Sequence, residues 1–125
     1  MMEKLKDLYP MAYDCTCMHE FVMSLEKFHK ENNVSALDVA KALLDFGIHP
    51  PTMYFPLIVS EALMVEPTET ESRETLDDAI AAFRKIYDSI INSPASVSAS
   101  PVTTPMRRLD EVKAAREPVL KYEFS

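Results

Sequence analysis

A single glycine stands in this chain of 125 residues, where average usage of about 7% would supply roughly nine. Loops that cradle phosphate need several glycines, so that successive backbone N–H groups can approach the anion. A P-loop and a dinucleotide-binding fingerprint are thereby excluded. If the chain works with a phosphorylated cofactor, another domain or chain must hold the phosphate. Cysteine is almost as scarce, with Cys15 and Cys17 the only two. One intervening residue suits neither a disulfide framework nor a C-x2-C zinc knuckle, so reduced, partly buried thiols and no metal are expected. No apolar run approaches the ~18 residues of a bilayer span, and the opening MMEKLKDLYP carries alternating charges where a signal peptide has an apolar core. A soluble, cytoplasmic protein with no membrane partner is expected. Cations are in deficit, 13 Lys and Arg against 20 Asp and Glu for a formal charge of −7, which argues against binding nucleic acid. Arg107, Arg108, Lys113 and Arg116 cluster near the end, but Asp110 and Glu111 alternate with them, the pattern of a solvated helix face.

The remaining composition is ordinary. Apolar residues make up 47% and charged residues 26%, as in folded globular proteins, and a chain this short makes one domain around one core. Leu5, Leu8 and Tyr9 before Pro10 read as the end of a helix. Residues 18–23 hold Phe21 and Val22 and read as a short strand, and residues 24–33 as loop or one helical turn. Ser35 and Asp38 form a capping-box variant ahead of Leu37, Ala40, Leu43 and Leu44. This pattern predicts a helix to Phe46, ended by a left-handed Gly47 with Ile48 packed back on the last turn. Residues 53–55 and 62–65 read as strands, with Pro56 at an edge or a break. Thr70 or Ser72 caps the next helix, whose first turn holds Glu71 and Glu74. Its apolar stripe is Leu76, Ala79, Ile80, Phe83, Tyr87 and Ile90. The expected division is a body over residues 1–92, an extended linker over 93–105, and a helical turn with an extended tail over 106–125. The fold class is α+β, a short antiparallel or mixed sheet with helices on one face.

Candidate chemistry concentrates in residues 47–71, GIHPPTMYFPLIVSEALMVEPTETE, where three turn devices imply a fixed cleft wall. His49 precedes two prolines, so the backbone aims its ring. The imidazole can donate to an anion and exchange protons near neutral pH, or it can fix the turn through a hydrogen bond. Thr52 offers a hydroxyl for a turn cap or for a substrate. Glu66 and Glu69 flank Pro67-Thr68, and acid and base roles would require burial to separate them. Glu66, leaving an apolar strand, is the candidate for a buried, paired carboxylate, and Glu69 reads as a helix-entry charge. Met53, Tyr54, Phe55 and Met64 read as core. A stand-alone protein-binding module, with residues 53–65 as its exposed patch, and a small ligand-sensing module are the alternative classes.

This segment, together with CMHEFV at 17–22 and SALDVAK at 35–41, resembles the C-terminal domain of the glycine cleavage system P protein. That family is the pyridoxal-phosphate-dependent, decarboxylating glycine dehydrogenase, and the second subunit of its two-subunit form is the nearest likeness. The resemblance covers residues 13–92, and PMRRLDEVKAAREPVL at 105–120 is similar to the family's terminal segment. It implies the small C-terminal domain of a fold-type-I pyridoxal-phosphate enzyme. His49-Pro50-Pro51-Thr52 matches the family's His-x-Pro-Thr motif and His19 a Cys-Met-His-Glu match, whereas His29 matches nothing. The expected cleft-lining residues are His19, His49, Pro51, Thr52, Phe55, Glu66 and Thr68, with Met53, Tyr54, Phe55 and Met64 placed to line the path of a lipoyl arm. No segment resembles the family's cofactor lysine. The chain therefore reads as an excised domain, inactive alone, with no catalytic residue of its own and no cofactor bound by itself. The implied partners are the large pyridoxal-phosphate domain, the first P-protein subunit and lipoylated H protein, whose arm takes the aminomethyl group once glycine has lost carbon dioxide. No arginine lies in the matched motifs, so a clamp on the glycine carboxylate is not expected here.

Overall fold

A computed structural model describes residues 1–122. Three strands, β1 (Phe21–Ser24), β2 (Thr52–Met53) and β3 (Ala62–Val65), form an antiparallel sheet in the order β1-β3-β2. The pleat divides their side chains between two faces. Phe21, Met23, Leu63, Val65 and the half-buried Met53 join the main core, while Val22, Ala62 and Met64 turn the other way, against Ala12 and Val59. The outer edge of β1 is closed by the preceding segment. The Ala12 N–H donates to the Val22 carbonyl at 2.8 Å and the Ser24 N–H to that of Pro10 at 2.9 Å. Strand β2 stops after two residues because Tyr54 turns left-handed at φ 59° and Pro56 has no N–H to offer.

Helix α1 (Glu26–Asn32) occupies the stretch expected as loop or one turn. Its polar surface hid three buried anchors, Leu25, Phe28 and Val34. A Glu26–Lys30 ion pair at 2.6 Å and a left-handed cap at Asn33, φ 56°, complete it. Helix α2 (Ala36–Leu44) starts at the capping box. Asp38 N–H donates to Ser35 Oγ at 3.2 Å, and Ser35 N–H to Asp38 Oδ2 at 2.8 Å. Its end is the expected one: Gly47 sits at φ 71°, its N–H donates to the Leu44 carbonyl at 3.0 Å, and that of Ile48 to Leu43 at 3.1 Å, the two bonds of a Schellman cap.

Helix α3 (Arg73–Asn92) is capped by Ser72, whose Oγ accepts from Thr75 N–H at 3.0 Å, and buries Ile80, Ala82, Phe83, Ile86 and Ile90. Before the sheet, a 3-10 turn at Met2–Lys4 runs into a further turn that buries Leu5 and Tyr9. Burial pushes the Tyr9 phenol well above its usual range, so it stays protonated and donates to the Phe83 carbonyl at 2.8 Å. The Tyr9 ring meets Phe28, Phe83 and Tyr87 edge-on, with centroids 5.7 to 5.9 Å apart, the geometry that aromatic quadrupoles favour.

Residues 93–105 depart from the expected extended form. Helix α4 (Pro94–Ser98) packs against both α2 and α3 with Val97 buried. Proline suits the first position of a helix, which needs no N–H. The chain then folds onto the end of α2, where Asp45 Oδ1 accepts from the Val102 N–H at 2.8 Å, the Thr103 N–H at 2.7 Å and the Thr103 hydroxyl at 2.8 Å. Partial burial raises the Asp45 carboxyl, but the bonds from Thr103, Val102 and Ser100 outweigh it and hold the group below its ordinary value. The native pKa is thus below the unfolded one, about 3.9. The stabilisation is complete above that value and is lost as pH falls through the native one. We expect Asp45→Asn to lower the urea midpoint at about pH 6 and the deficit to shrink at about pH 3. An unchanged deficit would show that the charge contributes nothing.

Two further expectations change. Arg108 is not simply solvated, since its Nη2 pairs with the buried Asp38 at 2.7 Å and its Nε donates to the Ser100 carbonyl at 2.7 Å. Both cysteines are exposed rather than partly buried, in a loop whose neighbour Met18 is also open to solvent. Helix α5 (Glu111–Arg116) follows as one short exposed element. Residues 123–125 of the expected extended tail lie outside the described residues.

Candidate functional site

An open cleft of about 1000 Å³ lies between the turn after α2, the bend after β3 and the first half of α3. The Gly47 cap turns the chain out of α2, and Pro50 and Pro51 limit its freedom until Thr52 enters the sheet opposite Met64. Strand β3 ends at Val65, and Pro67 and Thr68 bend the chain toward α3, with Thr68 Oγ1 2.8 Å from Thr70 Oγ1. Leu76, Ala79 and Phe83 of α3 form the floor. His49, Pro51, Thr52, Glu66 and Thr68 thereby line one cleft.

The other two sequence candidates lie elsewhere. Phe55 sits on the hairpin turn between β2 and β3, and His19 in an exposed loop with its Nε2 3.0 Å from Glu20 Oε2. Tyr54 and Phe55, expected in the core, are 44% and 53% exposed, because the left-handed turn at Tyr54 carries them off the sheet. Glu66 also needs correction. It is exposed and makes no ion pair among the described residues, since β3 ends one residue before it. The desolvation on which an acid–base pair with Glu69 would depend is therefore missing. His49 is exposed and has no hydrogen bond among the described residues, so backbone bonds hold the turn and its imidazole is left for the cleft.

Sequence reasoning missed the α3 side of the rim. Asp78, Ala81, Ala82 and Lys85 line the cleft at steps of three and four beside the apolar stripe, and that periodicity was legible. Lys85 Nζ lies 6.0 Å from the centre of the Phe46 ring, within reach of a cation–π contact. Glu66, Glu71 and Asp78 line the cleft with this one lysine, an acidic balance among its charged side chains. Among the described residues no group of three or more His, Cys, Asp or Glu is arranged to hold a metal ion, and no helix is long and apolar enough to cross a membrane.

Fold and cleft together define a small α+β domain with an open cleft whose charged side chains are mainly acidic. The chain belongs to the family described as glycine dehydrogenase, C-terminal domain, which matches residues 1–107. Over 120 residues it is 55% identical to the probable glycine dehydrogenase (decarboxylating) subunit 2 of Fervidobacterium nodosum, covering 96% of this chain and 25% of that protein. The same-named proteins of Treponema denticola and Bacillus velezensis are 56% identical over 121 residues and 54% over 123, covering 97% and 98% of this chain and 25% of each relative. The chain thus spans a quarter of the length of the curated relatives it matches.

The cleft residues do not by themselves fit pyridoxal phosphate, the cofactor the resemblance implies. A phosphate dianion and a Schiff base would both call on cations. Among the described residues the lining has one lysine side chain, near an aromatic ring, and three carboxylates, and the only glycine ends a helix rather than building an anion-cradling loop.

Proposed function

We propose that this chain is the C-terminal part of the second subunit of a decarboxylating glycine dehydrogenase, and that its cleft forms one wall of an active site completed by the rest of the enzyme. The observation that carries this reading is the convergence of the His49-Pro50-Pro51-Thr52 turn and the Glu66-Pro67-Thr68 bend on one cleft in a chain of this family. Pyridoxal phosphate, held by the large domain, would act as the electron sink for decarboxylation. Lipoylated H protein would receive the aminomethyl group, and the first P-protein subunit would complete the assembly.

The part played by this chain is then local. His49 and Thr52 present an N–H and an O–H from a wall whose backbone is already fixed, so little ordering is needed when they engage a neighbour. Leu76, Ala79 and Phe83 form an apolar floor that keeps water from the facing groups once the cleft is closed. Among the described residues no arginine lines the cleft, consistent with a wall that does not grip the glycine carboxylate. In this reading residues 1–92 are the body of the domain, residues 93–105 close over α2 and α3, and residues 106–125 extend from it.

The test is a complete two-subunit enzyme whose second subunit lacks residues corresponding to this chain. It should lose glycine-dependent exchange of carbon dioxide, and retained exchange would overturn the proposal. In parallel, the isolated chain treated with pyridoxal phosphate and borohydride should show no stoichiometric label on any one of its eight lysines. Site-specific labelling would place a cofactor lysine here and contradict the division of labour.

A further inference from the structure

The hairpin turn between β2 and β3 carries Tyr54, Phe55, Leu57 and Ile58, the last two each 86% exposed. Single exposed apolar side chains are ordinary, but four within five residues form a patch. Residues 52–60, TMYFPLIVS, hold no charge, although 26% of the chain is charged. Nor is the turn slack. The Tyr54 N–H donates to the Ala62 carbonyl at 2.8 Å and the Val59 N–H to that of Pro56 at 3.0 Å. Around its base, Ser24 Oγ donates to the Ser60 carbonyl at 2.8 Å and the Leu25 N–H to that of Glu61 at 2.9 Å. The Glu61 carboxylate in turn accepts from the Ala36 N–H at 2.7 Å, so the tip is braced against β1 and the start of α2.

We propose that this braced tip is the seat on which the chain docks to the remaining three quarters of its own subunit, an inference that rests on reading the chain as part of the second subunit. The chemistry of the patch selects the occupant. An uncharged knob gives no electrostatic steering to a partner that must come and go, whereas a fixed apolar tip suits a permanent contact resembling a core cut in half. The relatives are about four times the length of this chain, which covers 25% of each, and sequence on the same polypeptide is held at high effective concentration by the covalent link. At its other end the same hairpin supplies Thr52 and Met64 to the cleft. Docking at the tip would therefore set how the cleft faces the rest of the enzyme.

Hydroxyl-radical footprinting of the complete second subunit, alone and with the first subunit, tests this directly. In the second subunit alone, Phe55, Leu57 and Ile58 should label at least about tenfold more slowly than in the urea-unfolded subunit. Labelling near the unfolded rate, or protection only after the first subunit is added, would overturn the proposal, the second result naming the first subunit as the occupant. A Leu57→Glu/Ile58→Glu double variant of the complete subunit should release its C-terminal quarter to trypsin about tenfold faster, and unchanged release would likewise count against it. Neither readout involves glycine. A protected tip in a complete two-subunit enzyme that is inactive toward glycine would defeat the functional reading alone, and an exposed tip in an active enzyme would defeat the docking alone.

Discussion

Replacing His49 by alanine in the complete two-subunit enzyme should lower glycine-dependent exchange of carbon dioxide about a hundredfold, the scale of losing one positioned donor or proton-exchanging group. Folding stability should change by no more than about 0.5 kcal/mol, as for an exposed residue without structural bonds. The separation follows from the geometry: the turn is held by the Gly47 and Ile48 N–H groups and limited by two prolines, and the exposed imidazole contributes none of those bonds. Measuring exchange and the urea midpoint on the same variant decides the matter. Exchange that is unaffected, or that falls only in step with stability, would reduce His49 to a passive part of the turn.

Phe83→Ala should destabilise the chain by about 3–5 kcal/mol. The ring is 1% exposed, stands edge-on to Tyr9 at 5.9 Å and contributes to the cleft floor, so truncation opens a cavity between core and site. Phe83→Leu keeps much of the volume and should cost less than half as much. With a slope of about 1–1.5 kcal/mol per molar for a domain of this size, the alanine variant's urea midpoint should fall by about 2–5 M. A midpoint equal to that of the unsubstituted chain would mean that α3 is not packed on the core.

What was legible in the sequence is what local physics decides. The Ser35–Asp38 box, the left-handed Gly47, the Ser72 cap and the apolar stripe of α3 each depend on residues within a few positions of one another. The first three occur as read. The stripe does so at Ile80, Phe83 and Ile90, with Ala82 and Ile86 buried beside them, while Leu76, Ala79 and Tyr87 are half-buried. Partners that meet only after the chain has folded were not legible. Tyr9 bonds to a carbonyl 74 positions away, Glu61 caps a helix 25 positions earlier, and Asp45 gathers the chain at 102 and 103. Helix α4 escaped for the same reason. Its five residues bury one large side chain, Val97, and such a piece is helical because α2 and α3 are there to receive it. At the site, the two turns were legible because proline and glycine mark them. The exposure of Glu66 and the displacement of Phe55 hinge on where β3 ends and on one left-handed residue, both below the resolution of periodicity.

Sheet edges govern how folded molecules behave when concentrated. An unpaired strand edge is a template on which another chain can lay down a strand. Here the backbone of residues 10–12 occupies the β1 edge and β2 is two residues long, so strand-by-strand growth from intact molecules has little to build on. Conversion to a cross-β assembly must begin by peeling that N-terminal segment away. The adjoining Tyr9 is clamped among three aromatic rings and hydrogen-bonded to α3. The molecules open to strand-by-strand growth are therefore those in which this clamp has opened, and agitation or mild acid should accelerate fibre formation only insofar as it frees the first dozen residues.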